Sequence, residues 1–188
     1  MRRTHREARS ACGRIWGFNL IEFKPDDSVV VSPMICGKHT LAEIEANTLV
    51  FYTGISRSAS ALLKRQSQEI AESSQKQGAM KRMVALAFAL REELQKNNVS
   101  AIGEILHENW MLKKSTVSGL STPAIDDWYS LARDAGATGG KILGAGAGGF
   151  LMLYAPREAH ERIKLSLRML RPIPIGFEPL GSRIIFYH

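Results

Sequence analysis

Apolar residues recur along this chain with two different periods, and the change between them organises it. Val29-Val30-Val31 and Leu49-Val50-Phe51-Tyr52 are short β-type runs bounded by turn residues. Thr53-Gly54-Ile55-Ser56-Arg57 then opens a long proline-free segment. Ser56 or Ser58 can cap a helix there, its hydroxyl accepting from a free first-turn amide. Met83, Leu86, Leu90 and Leu94 return every three or four residues, which predicts a second helix. Ile102, Ile105, Leu106 and Trp110 predict a third, running to Lys114. Ile125, Trp128 or Tyr129, Ala132 and Ala135 predict a fourth, with Pro123 at its entrance.

The last third changes character. Glycine-rich sequence from Gly136 to Gly149 leads into Phe150-Leu151-Met152-Leu153-Tyr154, a continuous apolar run of buried-strand type. Pro156 suits the first turn of a helix with the stripe Ala159, Ile163, Leu167 and Leu170. Two further strands are predicted over Ile173–Phe177 and Arg183–Tyr187. Strand, helix, strand, strand implies an α+β fold, a mostly antiparallel sheet with helices packed on one face.

The 188 residues suffice for one domain and are short for two. Cys12 and Cys36 match no metal or redox spacing, and no uncharged run is long enough for a membrane-spanning helix. The expectation is a cytoplasmic protein with no metal site and no membrane partner. The net charge of +7 raises a nucleic-acid reading, but its placement argues against one. Residues 1–14 hold five arginines against the single acid Glu7, while the remainder is close to balanced. The division expected is therefore an Arg-rich, poorly ordered leader over 1–14 and one domain over 15–188, with no nucleic-acid partner.

Gly139-Gly140-Lys141-Ile142-Leu143-Gly144-Ala145-Gly146-Ala147-Gly148-Gly149 is the strongest local signal. Glycines this dense permit positive φ and let several amides converge on an anion, so Gly144, Ala145, Gly146, Ala147, Gly148 and Gly149 are candidate phosphate or nucleotide ligands. The alternative is a tight strand connection with glycines for packing. Gly144, Gly146 and Gly149 formally satisfy G-x-G-x-x-G, but a strand-like run follows where the dinucleotide motif needs a helix. On the third helix, His107, Trp110 and Lys114 share a face and could present ring donors and a cation to an anion. The alternative makes Trp110 core and Lys113-Lys114 a solvated helix end. Arg57, at a predicted helix start, can bind phosphate in bidentate fashion or be ordinary surface. Asp126 and Asp127 read as first-turn acids.

The glycine run continued into Phe150 resembles the third motif of the GHMP kinases, the superfamily of galactose, homoserine, mevalonate and phosphomevalonate kinases. Gly17-Phe18-Asn19-Leu20-Ile21-Glu22-Phe23, Phe51 to Ser60 and His107 to Lys114 resemble the branch acting on D-glycero-D-manno-heptose 7-phosphate. Ile125-Asp126 and Gly181-Ser182-Arg183-Ile184-Ile185 fit as well, so the similarity spans residues 15–187. It implies a GHMP kinase C-terminal domain with ferredoxin-like elements, and transfer of the ATP γ-phosphoryl, with Mg²⁺, to the anomeric hydroxyl of a heptose 7-phosphate or related sugar. Charge and placement make Arg57, Lys113 and Lys114 candidates for the substrate phosphate, and Thr53, Gly54, Ser56, His107, Trp110 and Lys141 are further candidate substrate contacts. The sequence departs from the family in two places. No Pro-x-x-x-Gly-Leu-Gly-Ser-Ser phosphate loop is present, and Arg9 stands near where the family's catalytic aspartate is expected. No catalytic residue is therefore assigned. The expected partners are a sugar phosphate and either a separate amino-terminal kinase half or a second copy. The alternative function is a non-catalytic sugar-phosphate-binding or regulatory domain.

Overall fold

The computed structural model describes residues 18–55, 59–144 and 148–177. The leader, the Arg183–Tyr187 strand and the Gly181–Ile185 motif lie outside them. In chain order the elements are β1 (Asn19–Phe23), β2 (Val29–Pro33), α1 (Lys38–Ala46), β3 (Thr48–Tyr52), α2 (Ala59–Ala71), α3 (Ser74–Gln95), α4 (Ala101–Thr116), α5 (Pro123–Asp134), β4 (Gly139–Leu143), β5 (Phe150–Tyr154), α6 (His160–Ser166) and β6 (Arg171–Ile173). β4, β5, β3 and β6 form a four-stranded sheet in that order, antiparallel throughout, and β1 pairs with β2 in a separate hairpin. The α+β architecture expected from the apolar pattern is the one observed.

Alternation along the strands separates two faces. Phe51, Ile142, Leu151 and Leu153 point to one of them, and join Trp110, Ile125, Tyr129, Ala132, Ile163 and Leu167 of the helices in the main core. Tyr154 points the other way. It meets Ile44, Leu94, Val99 and Ile102 in a second cluster that covers one end of the opposite face. The other end carries Tyr52, Leu143 and Phe150, all exposed, with the Tyr52 and Phe150 rings 5.4 Å apart.

Helix α4 lies alongside the edge strand β4 at a separation only glycine permits. A Cβ on Gly139 would fall 1.8 Å from the Gly103 carbonyl oxygen, and a Cβ on Gly103 would fall 2.0 Å from Oγ1 of Thr138. The first two glycines of the run therefore belong to the sheet and serve packing, as the alternative reading had it.

Two elements differ from expectation. Helix α1 carries no capping side chain at its own start. Asn97 supplies one from sixty residues away, its Oδ1 accepting from the Gly37 amide at 3.0 Å and the Thr40 hydroxyl at 2.5 Å. Strand β6 covers Arg171–Ile173 rather than Ile173–Phe177. The second predicted helix starts after Ser73, whose hydroxyl accepts from the Lys76 amide.

Gly139→Ala is expected to destabilise the fold by about 3 kcal/mol, the upper end of ordinary overpacking, because backbone must move on both elements. Urea unfolding followed by circular dichroism measures this, and a midpoint within error of wild type would refute the close approach.

Candidate functional site

Strands β4 and β5 are joined by the turn that begins at Gly144 and returns through Gly148 and Gly149. Gly144 and Gly149 both hold positive φ, 84° and 92°, a region costly for residues with a Cβ. The returning arm is fixed from the end of β3. Thr53, 7% exposed, donates to the Gly149 carbonyl through both its amide, at 3.0 Å, and its hydroxyl, at 2.8 Å. The Gly149 amide donates to the Ile55 carbonyl at 2.9 Å, and a Cβ on Gly148 would meet that same oxygen at 2.4 Å. Gly54, at φ 71°, lets the chain bend between these contacts. Thr53 and Gly54 thus hold the glycine turn in place from behind.

Two lysines stand at the departing arm. Lys113, in the last turn of α4, donates from Nζ to the Gly144 carbonyl at 3.2 Å. Lys141 lies on β4 three residues before Gly144 and shares the partly open sheet face with Leu143, Met152 and Phe150. Partial burial lowers the pKa of Lys113 to about 8, and the nearby Lys141 charge adds to the shift. Burial also lowers Lys141. Neither amine has a carboxylate partner among the described residues. Two desolvated cations beside a glycine turn make a place where an anion is favoured.

The remaining candidates on α4 are engaged elsewhere. Lys114 pairs with Asp126 at 2.9 Å, and its amine sits 6.0 Å from the Trp110 ring centroid. Asp126 also accepts from the Ser121 hydroxyl at 3.0 Å, so it anchors the start of α5 to the end of α4. Trp110 is 1% exposed and belongs to the main core. His107 places Nδ1 2.8 Å from the Tyr129 hydroxyl, with the two rings parallel within 6°. Burial, then the Arg133 charge, lowers the His107 pKa, and burial pushes Tyr129 up to about 12. A neutral imidazole sharing one proton with a neutral phenol fits both shifts. The face shared by His107, Trp110 and Lys114 is therefore an internal one, joining α4 to α5.

The structure brings together Thr53, Gly54, Lys113, Lys141, Gly144, Gly148 and Gly149. Ser56, Arg57, Ala145, Gly146 and Ala147 lie outside the described residues. Sequence reasoning treated Tyr129 only as part of a helix stripe, and no local signal paired it with His107. Asp126 was legible as a first-turn acid but not as the partner of Lys114. No three histidines, cysteines or carboxylates gather as a metal site would require among the described residues. No described helix is long and apolar enough to cross a membrane.

This turn-and-lysine arrangement sits in a domain with known relatives. Residues 90–168 match the family described as GHMP kinases C terminal. A D-glycero-α-D-manno-heptose 7-phosphate kinase of Campylobacter jejuni is 30% identical over 149 residues, covering 79% of this chain and 44% of that protein. A Campylobacter jejuni structure assigned as a sugar kinase superposes with a TM-score of 0.67 at 26% identity, covering 93% of this chain and 49% of the other. Leishmania major mevalonate kinase bound to R-mevalonate gives 0.66 at 20% identity, covering 80% and 44%, a likeness of fold alone. The chain spans under half the length of the curated relative.

Because His107 is held neutral, it must gain a proton on unfolding below its unfolded pKa of about 6.5. The unfolded state then binds more protons, so stability falls as pH drops through that value toward the lower folded one. His107→Asn should flatten this acid-side slope in urea midpoints measured across the window. An NMR titration placing the His107 pKa above 6.5 would contradict the assignment.

Proposed function

We propose that this chain forms the C-terminal half of a GHMP-type sugar kinase site, in which Lys113 and Lys141 hold the phosphate of a heptose 7-phosphate or related sugar beside the glycine turn. The observation that carries this reading is the pair of partly buried amines, unmatched by any described carboxylate, at the end of β4. The heptose 7-phosphate kinase relative supports the substrate class. A phosphate placed there would replace the missing counter-charge and accept charge-assisted hydrogen bonds from both amines.

ATP would supply the transferred phosphoryl group to the anomeric hydroxyl. Phosphoryl transfer rests mainly on positioning and charge neutralisation. This chain's share is to orient the sugar phosphate and neutralise part of its charge. The described residues offer no cluster fit for Mg²⁺, so metal ligation is not assigned to this chain. The sequence also lacks the family's phosphate loop and catalytic aspartate. The chain alone is therefore a binder of sugar phosphate without turnover, and the complete reaction needs an amino-terminal half.

Titration calorimetry with inorganic phosphate and with heptose 7-phosphate tests this. Binding needs Lys113 protonated, so affinity should fall as pH rises through its folded pKa of about 8. Lys113→Met should weaken binding about ten-fold or more at neutral pH and remove most of that alkaline dependence. Lys114→Met, whose amine already pairs with Asp126, should leave it nearly unchanged. Equal loss in both variants would remove the lysine pair from the site.

A further inference from the structure

The open end of the four-stranded sheet carries aromatic surface that the glycine turn and its lysines leave unused. The ladder registers set the side chains of this face in rows across the strands. Tyr154 lies in the deepest row, Lys141 and Met152 in the next, and Phe150 and Tyr52, with Arg171 beside them, in the last. Cover thins in that order. Tyr154 is buried inside the second cluster, Lys141 and Met152 are half-buried, and Phe150 and Tyr52 are 40% and 41% exposed. Neither of these last two rings belongs to a core cluster.

The two rings are held in a fixed relation. Tyr52 and Phe150 pair directly across β3 and β5, with ring centroids 5.4 Å apart and planes inclined at 48°. Their chain neighbours carry the hydrogen bonds that fix the glycine turn. Thr53 follows Tyr52, Gly149 precedes Phe150, and Thr53 donates to the Gly149 carbonyl through both amide and hydroxyl. The exposed rings and the turn are therefore parts of one rigid frame, and such rigidity lowers the ordering cost of binding. Lys141 stands one row behind the rings on the same face, about 7 Å along the strand direction. Arg171 ends the row on the other side, paired with Tyr52.

Exposed rings gain from losing water only against a partner with apolar surface of its own. The cations on this face favour a partner that is also an anion. A phosphorylated sugar is both, because its ring carries C–H bonds that the negative face of an aromatic ring attracts. A nucleobase fits less well. Two planes inclined at 48° cannot both stack on one flat base, whereas a puckered sugar presents C–H bonds in several directions. We infer that Tyr52 and Phe150 form the platform on which the sugar ring rests while Lys113 and Lys141 hold its phosphate. The substrate class rests on the sugar-kinase reading, and the platform adds the source of selectivity. The lysines accept any phosphate, but the rings reward only one that brings carbon surface with it. Tyr52 and Phe150 are thus specificity-determining residues that take no part in moving the phosphoryl group.

Titration calorimetry on the full chain compares heptose 7-phosphate with inorganic phosphate. The sugar phosphate is expected to bind about ten-fold tighter or more, and Tyr52→Leu or Phe150→Leu to remove most of that advantage. Inorganic phosphate should bind both variants as it binds wild type. Leucine keeps apolar bulk on the strand, so an unchanged urea midpoint shows that the fold is intact. In proton NMR, the Tyr52 and Phe150 ring signals should shift with heptose 7-phosphate and stay in place with inorganic phosphate. Equal affinity for the two ligands, or an advantage that survives both substitutions, overturns the platform and leaves the lysine site standing. Loss of inorganic phosphate affinity in the leucine variants also overturns it, because the rings would then only shape the turn. So do ring shifts larger with AMP than with heptose 7-phosphate, which would make a nucleobase the occupant. If inorganic phosphate does not bind at all, the lysine reading fails and the unphosphorylated heptose decides the platform alone. Saturation transfer from the rings to that sugar, lost in Phe150→Leu, supports the platform, and its absence in wild type overturns it.

Discussion

The contact between Gly103 and Gly139 sets the geometry of everything around the candidate site. Helix and strand backbones touch there with no side chain between them. From that point α4 advances ten residues to Lys113, about 15 Å of helix. Strand β4 advances five residues to Gly144, about 17 Å of extended chain. The two elements reach the same place together because they started in contact. Displacing α4 outward by one methyl group would carry the Lys113 amine away from the Gly144 carbonyl. The site depends on a packing constraint some three helical turns away from it.

The lysines of α4 show how environment, rather than residue type, separates roles. Lys113 and Lys114 are adjacent in sequence and both lie in the last helical turn. Lys114 faces Asp126 and closes a structural link between α4 and α5. Lys113, rotated about 100° around the helix, faces a carbonyl and a second amine instead. A surface ion pair contributes little to stability, and its amine has no unmet demand for a counter-charge. A partly buried amine beside a like charge does have that demand, which is why its proton is more loosely held.

Much of the fold was legible because its helices and the β3 and β5 strands carry regular apolar spacing. Leu86 and Leu94, or Ile163 and Leu167, announce their faces without help from the rest of the chain. What escaped was what depends on distant partners. Helix α1 is invisible locally because Asn97 caps it across sixty residues. Strand β4 was masked by its own glycines, which are there for the α4 contact and read equally well as a loop. At the site, the glycine turn and Lys113 were readable from residue type. Lys114 and Trp110 looked equivalent to them, since helical spacing says which residues share a face but not whether that face looks inward. The family resemblance reached the domain correctly, and it could not by itself decide between those residues.

Thr53 and Gly149 are separated by 96 residues, and their hydrogen bonds shape the glycine turn. That turn cannot be completed by local folding. Closing a loop of this length costs about 2 kcal/mol more entropy than closing one of ten residues. The helices between β3 and β4 contain mostly local contacts and can form early, whereas the β3–β5 ladder must wait for the chain beyond Gly149. During synthesis the lysine-bearing helix can therefore form before the glycine turn beside it does. Closure of the glycine turn therefore reports whether the sheet has closed.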